Sequence, residues 1–137
     1  MKTKNLTIIF SALLIGITAA SFRYIQQAKP WAVPEKNAKM ANPVKANTES
    51  INAGKALWSK NCQSCHGKKG VGDGTKAPDL KTPPADLTKA DIQSQSDGSL
   101  FYKISEGRDD MPRFKKDIPD PEDIWNVVNY LRTLKAK

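Results

Sequence analysis

The stretch Cys62-Gln63-Ser64-Cys65-His66 constrains this chain more than any other. Two thiols three residues apart share one face of a helical turn, and the following side chain projects beside them. One turn of backbone can therefore fix a ring at two points and bring an imidazole onto a metal at its centre. That C-x-x-C-H spacing is the attachment signature of a c-type haem. Other uses of a cysteine pair fail on counts. A structural zinc site needs four ligands, and the chain holds 2 Cys and 1 His in all. A thioredoxin-like pair belongs in a βαβ pattern, and nothing strand-like flanks this one. A disulfide across three residues closes so short a loop that the chain-entropy gain is least.

At 137 residues the chain is one domain plus an N-terminal segment. Lys2 and Lys4 make a basic start, Leu6 to Ala20 is an almost unbroken apolar run, and Thr18-Ala19-Ala20 precedes Ser21 with small side chains. Residues 1–20 therefore read as an export signal. Continued through Phe22 the run reaches 17 residues, the short end of what spans a bilayer, so a retained membrane anchor is the alternative. Residues 21–47 read as a basic, Pro-containing linker interrupted by Pro30, Pro34 and Pro43. The domain is then 48–137. So short a unit buries a small core, and a large apolar cofactor filling it would supply much of the stability.

The net charge of +8 belongs mostly to the tail. Residues 1–20 carry +2 and residues 21–45 carry +4, which leaves +2 over residues 46–137, from 15 Lys or Arg against 13 Asp or Glu. A case for nucleic-acid binding from the pI of about 9.5 therefore fails. The basic tail either lies on anionic lipid or is a solvated linker.

The rest of the domain reads as helices and loops. Asn47 or Thr48 caps a first helix whose stripe is Ile51, Gly54, Leu57, Trp58, Asn61, Cys62 and Cys65. Gly67 to Gly74 holds four glycines in eight residues; it follows a helix and lacks the Walker spacing, so it is a loop around the ring and not a phosphate cradle. Thr88 and Asp91 mark a short capped helix. A further helix starts near Ser96 or Asp97, presents Leu100, Phe101 and Ile104, and stops at Gly107. Asp120 and Pro121 open a last helix with Ile124, Val127, Val128, Leu131 and Leu134 as its buried stripe and Trp125 and Tyr130 beside them. With no β pattern anywhere, the fold class is all-α.

Between the last two helices lies Arg108-Asp109-Asp110-Met111-Pro112. A lone Met is ordinarily a core filler. A loop Met before Pro, downstream of the haem motif in a chain with no second His, is instead the best candidate for a sixth iron ligand. Met40 in the linker is the competitor.

These residues together resemble the class I monohaem c-type cytochromes over about residues 48–135. The resemblance rests on Gly54-x-x-x-Trp58-x-x-x-Cys62-x-x-Cys65-His66, on Pro78 and Leu80, on Met111-Pro112 and on Val127-x-x-Tyr130-Leu131. It implies a small cytochrome c fold in which the first and last helices cross, with Gly54 and Trp58 against Val127 and Tyr130. It also implies one haem c, covalent through Cys62 and Cys65 and ligated by His66 and Met111. The Pro78 carbonyl would accept the His66 ring proton, and Leu80 would pack on the proximal face. Arg108, Arg113, Lys81 and Tyr102 are the candidate propionate partners.

The reading is therefore a one-electron carrier and not an enzyme; the export signal points to the periplasm or the outer face of the cytoplasmic membrane, and a monomer is expected. Its partners are redox proteins, and nucleic acid is not among them. Lys68, Lys69, Lys76, Lys115 and Lys116 either steer acidic partners toward the haem edge or are ordinary solvated lysines. Two alternatives stand: a membrane-anchored cytochrome c subunit of a respiratory complex, and an open-site haem enzyme or sensor should Met111 not ligate.

Overall fold

The structure, a computed structural model, describes residues 30–136. The expected export signal or anchor over residues 1–20, and on through Phe22, lies outside the described residues. The chain divides into two compact units, Met1–Trp31 and Ala32–Lys137. Helices of the second unit run in the order α1 Glu35–Ala38, α2 Thr48–Asn61, α3 Gln63–His66, α4 Ala90–Gln93, α5 Asp97–Glu106 and α6 Pro121–Thr133, with 3-10 turns at Ala77–Asp79 and Phe114–Lys116. Among the described residues there is no strand, only a bridge between Arg108 and Met111. The fold is the small all-α cytochrome c fold that the sequence predicts.

The helix starts follow local chemistry. Asn47 accepts from the Ser50 amide at 2.8 Å and opens α2, Ser96 accepts from Ser99 to open α5, and Asp120 accepts from Glu122 ahead of Pro121 to open α6. Each satisfies an amide that the first helical turn leaves bare. The box expected at Thr88 and Asp91 does not form. Thr88 is turned back onto Asp86, which accepts from its amide at 3.0 Å and its hydroxyl at 2.7 Å; α4 then starts behind Lys89 with no side-chain cap.

The core is the crossing of α2 and α6. Along α6 every residue from Ile124 to Leu131 is buried, and Val127 and Val128 are wholly so. At the crossing α2 places Gly54, where a Cβ would overlap the Asn126 carbonyl oxygen and meet the Tyr130 Cβ at 3.0 Å. The nearest neighbours of Gly54 are thus Asn126 and Tyr130, one of the two residues that the resemblance assigns there. Trp58, one turn on, packs its ring 5.8 Å from that of Tyr130. Phe101 of α5 stacks on Trp125 at 4.2 Å, and Arg132 of α6 donates to Asp97, Gln93 and Gln95, which pins the junction of α4 and α5.

From Ala32 onward the stretch expected to be a linker is packed into the second unit. Val44 packs against the core, and the rest of the stretch's hold on the domain is polar. Asn42 donates to Asn129 at 2.8 Å, Asn129 donates to the Val44 carbonyl at 3.1 Å and to Ser50 at 2.8 Å, and Ser50 donates to Asn126 at 2.6 Å. Ser96 donates to the Ala38 carbonyl at 2.6 Å. Ser50, Asn126 and Asn129 are buried, and this network satisfies polar groups that would otherwise be costly inside a fold. Residues 32–47 are a strap across α5 and α6.

Two substitutions test this packing. Gly54→Ala is expected to cost about 1–3 kcal/mol, the usual penalty of overpacking against backbone that cannot yield, seen as a lower denaturant midpoint at unchanged slope. Asn129→Ala strips Asn42 and Val44 of a partner, at about 1–3 kcal/mol, and should speed proteolytic cutting within residues 32–47; unchanged cutting would mean that something else holds the strap.

Candidate functional site

The haem signature lies where α2 runs out. Cys62 leaves ideal helical geometry at φ −115°, ψ −36°, yet its amide still bonds the Trp58 carbonyl at 2.9 Å. Cys65 and His66 both donate back to the Cys62 carbonyl, at 3.1 and 3.0 Å, and so close the short turn of α3. The sequence predicts one buried stripe running on to Cys65; the break at Cys62 instead leaves Cys65 and His66 half-buried beside a buried Cys62. Both thiols are free. Trp58, Cys62 and His66 follow at four-residue steps, and the Trp58 and His66 rings stand 5.8 Å apart at 42°.

Burial favours the neutral forms of Cys62 and His66. Burial pushes the Cys62 thiol up to about 12, and neighbouring Cys65 adds to the shift. Burial also holds the His66 imidazole below its ordinary value, with the Ala85 backbone opposing that shift. A neutral imidazole keeps a lone pair for a metal. His66 Nδ1 is buried and makes no hydrogen bond, so it does not donate to the Pro78 carbonyl in this structure. Pro78 sits exposed in the 3-10 turn, and Leu80 follows it half-buried.

The glycine-rich loop folds back on the signature. The amides of Gly72, Gly74 and Lys76 donate to the carbonyls of His66, Cys65 and Ser64, at 2.9, 3.1 and 2.8 Å. Leu87 donates to Gly70 at 2.7 Å; two residues earlier lies Ala85, whose backbone acts on the imidazole.

Met111 sits on a turn closed upon itself. Arg108 donates to the Met111 carbonyl at 3.0 Å and Met111 donates to the Arg108 carbonyl at 2.9 Å. Gly107 enters at φ +62°, where a Cβ would overlap the Met111 and Pro112 carbonyls. Asp109 holds φ +52° at the tip, a left-handed conformation that Asp tolerates better than most residues. Next to it Asp110 Oδ2 accepts from the Thr82 amide at 3.0 Å. Met40, the competing methionine, lies exposed on the strap.

The donor set fits a covalent haem. Among the described residues no three of His, Cys, Asp and Glu are arranged to hold a metal ion, and both cysteines are free thiols. Leu57, Leu80, Leu87 and Met111 are only half-buried despite being apolar, which leaves apolar surface that a flat ring could cover. Cys62, Cys65 and His66 would hold such a ring on one turn. Sequence reasoning had no signal for Ala85 or for the Asp110–Thr82 bond, because both are long-range and involve backbone groups. The contact of Trp58 with His66 was within reach, since two steps of four along a helix bring side chains to one face.

A family model described as cytochrome C oxidase, cbb3-type, subunit III matches residues 49–131, a span that contains Cys62, Cys65, His66, Pro78, Leu80 and Met111. A search of curated protein sequences found no match. Among solved structures, a reducing HAO-like protein complex from Kuenenia stuttgartiensis is similar, with a TM-score of 0.64 and 22% identity over 80% of this chain. The present chain spans 53% of that one, and the likeness speaks for the fold. The family match takes in more than half of the chain and the whole of the thiol and imidazole turn: the chain belongs to the cbb3-type cytochrome C oxidase subunit III family, and its folded unit is a c-type cytochrome domain, built for haem-based electron transfer.

Proposed function

We propose that the protein is an exported one-electron carrier that binds a single haem c through Cys62 and Cys65, with His66 and Met111 as axial ligands. The observation that carries this reading is one turn of backbone presenting two free thiols beside a neutral imidazole. Haem supplies reversible one-electron chemistry at its iron, and a thioether ligand favours the reduced state. The chain does the rest. Cys62 and Cys65 would hold the ring through thioether bonds, and His66 and Met111 would ligate its iron, which would leave no open site for a substrate. Leu57, Leu80 and Leu87 would shield the ring from water. Lys68, Lys69 and Lys76 are exposed and favour transient, salt-sensitive encounters with acidic redox proteins; Lys115 instead pairs with Glu106 at 2.9 Å.

Lys2, Lys4 and the apolar run from Leu6 support export to the periplasm or to the outer face of the cytoplasmic membrane. A second reading has its own support: the description of the family names an oxidase subunit, and a subunit kept in a respiratory complex would retain Leu6 to Phe22 as its anchor. Its partner would then be fixed and not diffusing. Membranes washed in high salt separate the two, since an anchored protein stays and a tail-bound one comes off.

Two measurements test the site. The purified protein is expected to weigh one haem more than its chain and to show no titratable thiol after denaturation; two reactive thiols would end the covalent reading. Its oxidised spectrum is expected to show a long-wavelength sulfur-to-iron charge-transfer band that Met111→Ala abolishes. Absence of that band in the wild type, together with ready carbon monoxide binding to the ferrous form, would move the protein to the open-site haem enzymes and sensors.

A further inference from the structure

We infer that Asp110 is a positioning residue that clasps the Met111 turn, through the Thr82 amide, to the wall carrying His66, and so sets how readily Met111 gives up its axial position. This rests on the ligation proposed above. The two sides of the site are fastened differently. On the His66 side one backbone bond leads to the next: Gly72 and Gly74 bond the signature carbonyls, and Leu87 bonds Gly70. Pro84 presses on the same loop, close enough for a Cβ at Gly72 to meet its carbonyl oxygen at 2.6 Å. The segment containing Thr82 is thereby tied to His66.

The Met111 turn is rigid within itself, through its paired Arg108 and Met111 backbones and the close approach at Gly107. A turn that is rigid inside moves as a body, and its place relative to the other wall depends on what joins the two. Besides the packing of Met111 on the core, one such joint is Asp110 Oδ2 accepting from Thr82 N–H at 3.0 Å, between residues 28 apart in sequence. A carboxylate on a backbone amide makes a charge-assisted bond, stronger than a neutral one. Adjacent Asp109 is directed elsewhere, to Arg108 at 3.3 Å, so the two consecutive aspartates have separate roles.

The test is a titration of the ferric holoprotein with imidazole, followed by loss of the sulfur-to-iron band. Asp110→Ala is expected to bind imidazole about 3- to 10-fold more tightly, the factor that one ordinary hydrogen bond supplies. Asp110→Asn keeps an acceptor oxygen and should fall between. Asp109→Asn removes an equal charge one residue away, in a conformation Asn accepts, and should leave the affinity unchanged. Thr82→Pro removes the donor and should tighten imidazole binding as Asp110→Ala does, with the double variant no different from either single one. Should Asp110→Ala fail to accumulate, Thr82→Pro and Asp110→Asn carry the test. A purely structural Asp110 would lower the thermal midpoint without moving imidazole affinity, and that result overturns the clasp while leaving His66 and Met111 as ligands. A wild type without the band overturns the ligation, and the clasp with it.

Discussion

The backbone approach of α2 to α6 at Gly54 decides where everything else can lie. With no side chain at that point, the Asn126 carbonyl comes within what would be Cβ distance, and the two helices lock at one register. Trp58 is then delivered onto Tyr130 one turn later, Cys62 one turn after that, and His66 at the end of the same series. The reactive turn is in effect the continuation of a helix crossing. Its geometry and the stability of the fold rest on the same contact, so a change that loosens the crossing also misplaces the imidazole.

What the sequence made legible was local. The signature, the caps at Asn47, Ser96 and Asp120, the stop at Gly107 and the stripe of α6 each depend on residues within a turn or two of one another. The strap was not legible, because Asn42, Val44 and Ala38 are held by amides and carbonyls. Hydrophobic periodicity cannot register polar bonds of that kind. The Thr88 box misled for a similar reason: Asp86, two residues before Thr88, competed for the same hydroxyl. Pro78 was assigned to the imidazole by its position in the family pattern alone, and the influence of the Ala85 backbone on the ring had no local signal.

The site is fastened unevenly. Its cysteine and histidine side is backbone-bonded at Ser64, Cys65 and His66, while its methionine side is a turn closed on itself, packed on the core and bonded to Thr82 through Asp110. For a domain built for electron transfer this division matters, since backbone fixed by its own hydrogen bonds rearranges little when a nearby charge changes.

The strap sets the order of synthesis against the order of assembly. Asn42 and Asn129 are 87 residues apart, and the pair cannot meet until α6 has been made. The part of the strap that leaves the ribosome early is thus among the last to find its place, and in the interval its amides and carbonyls are held by water.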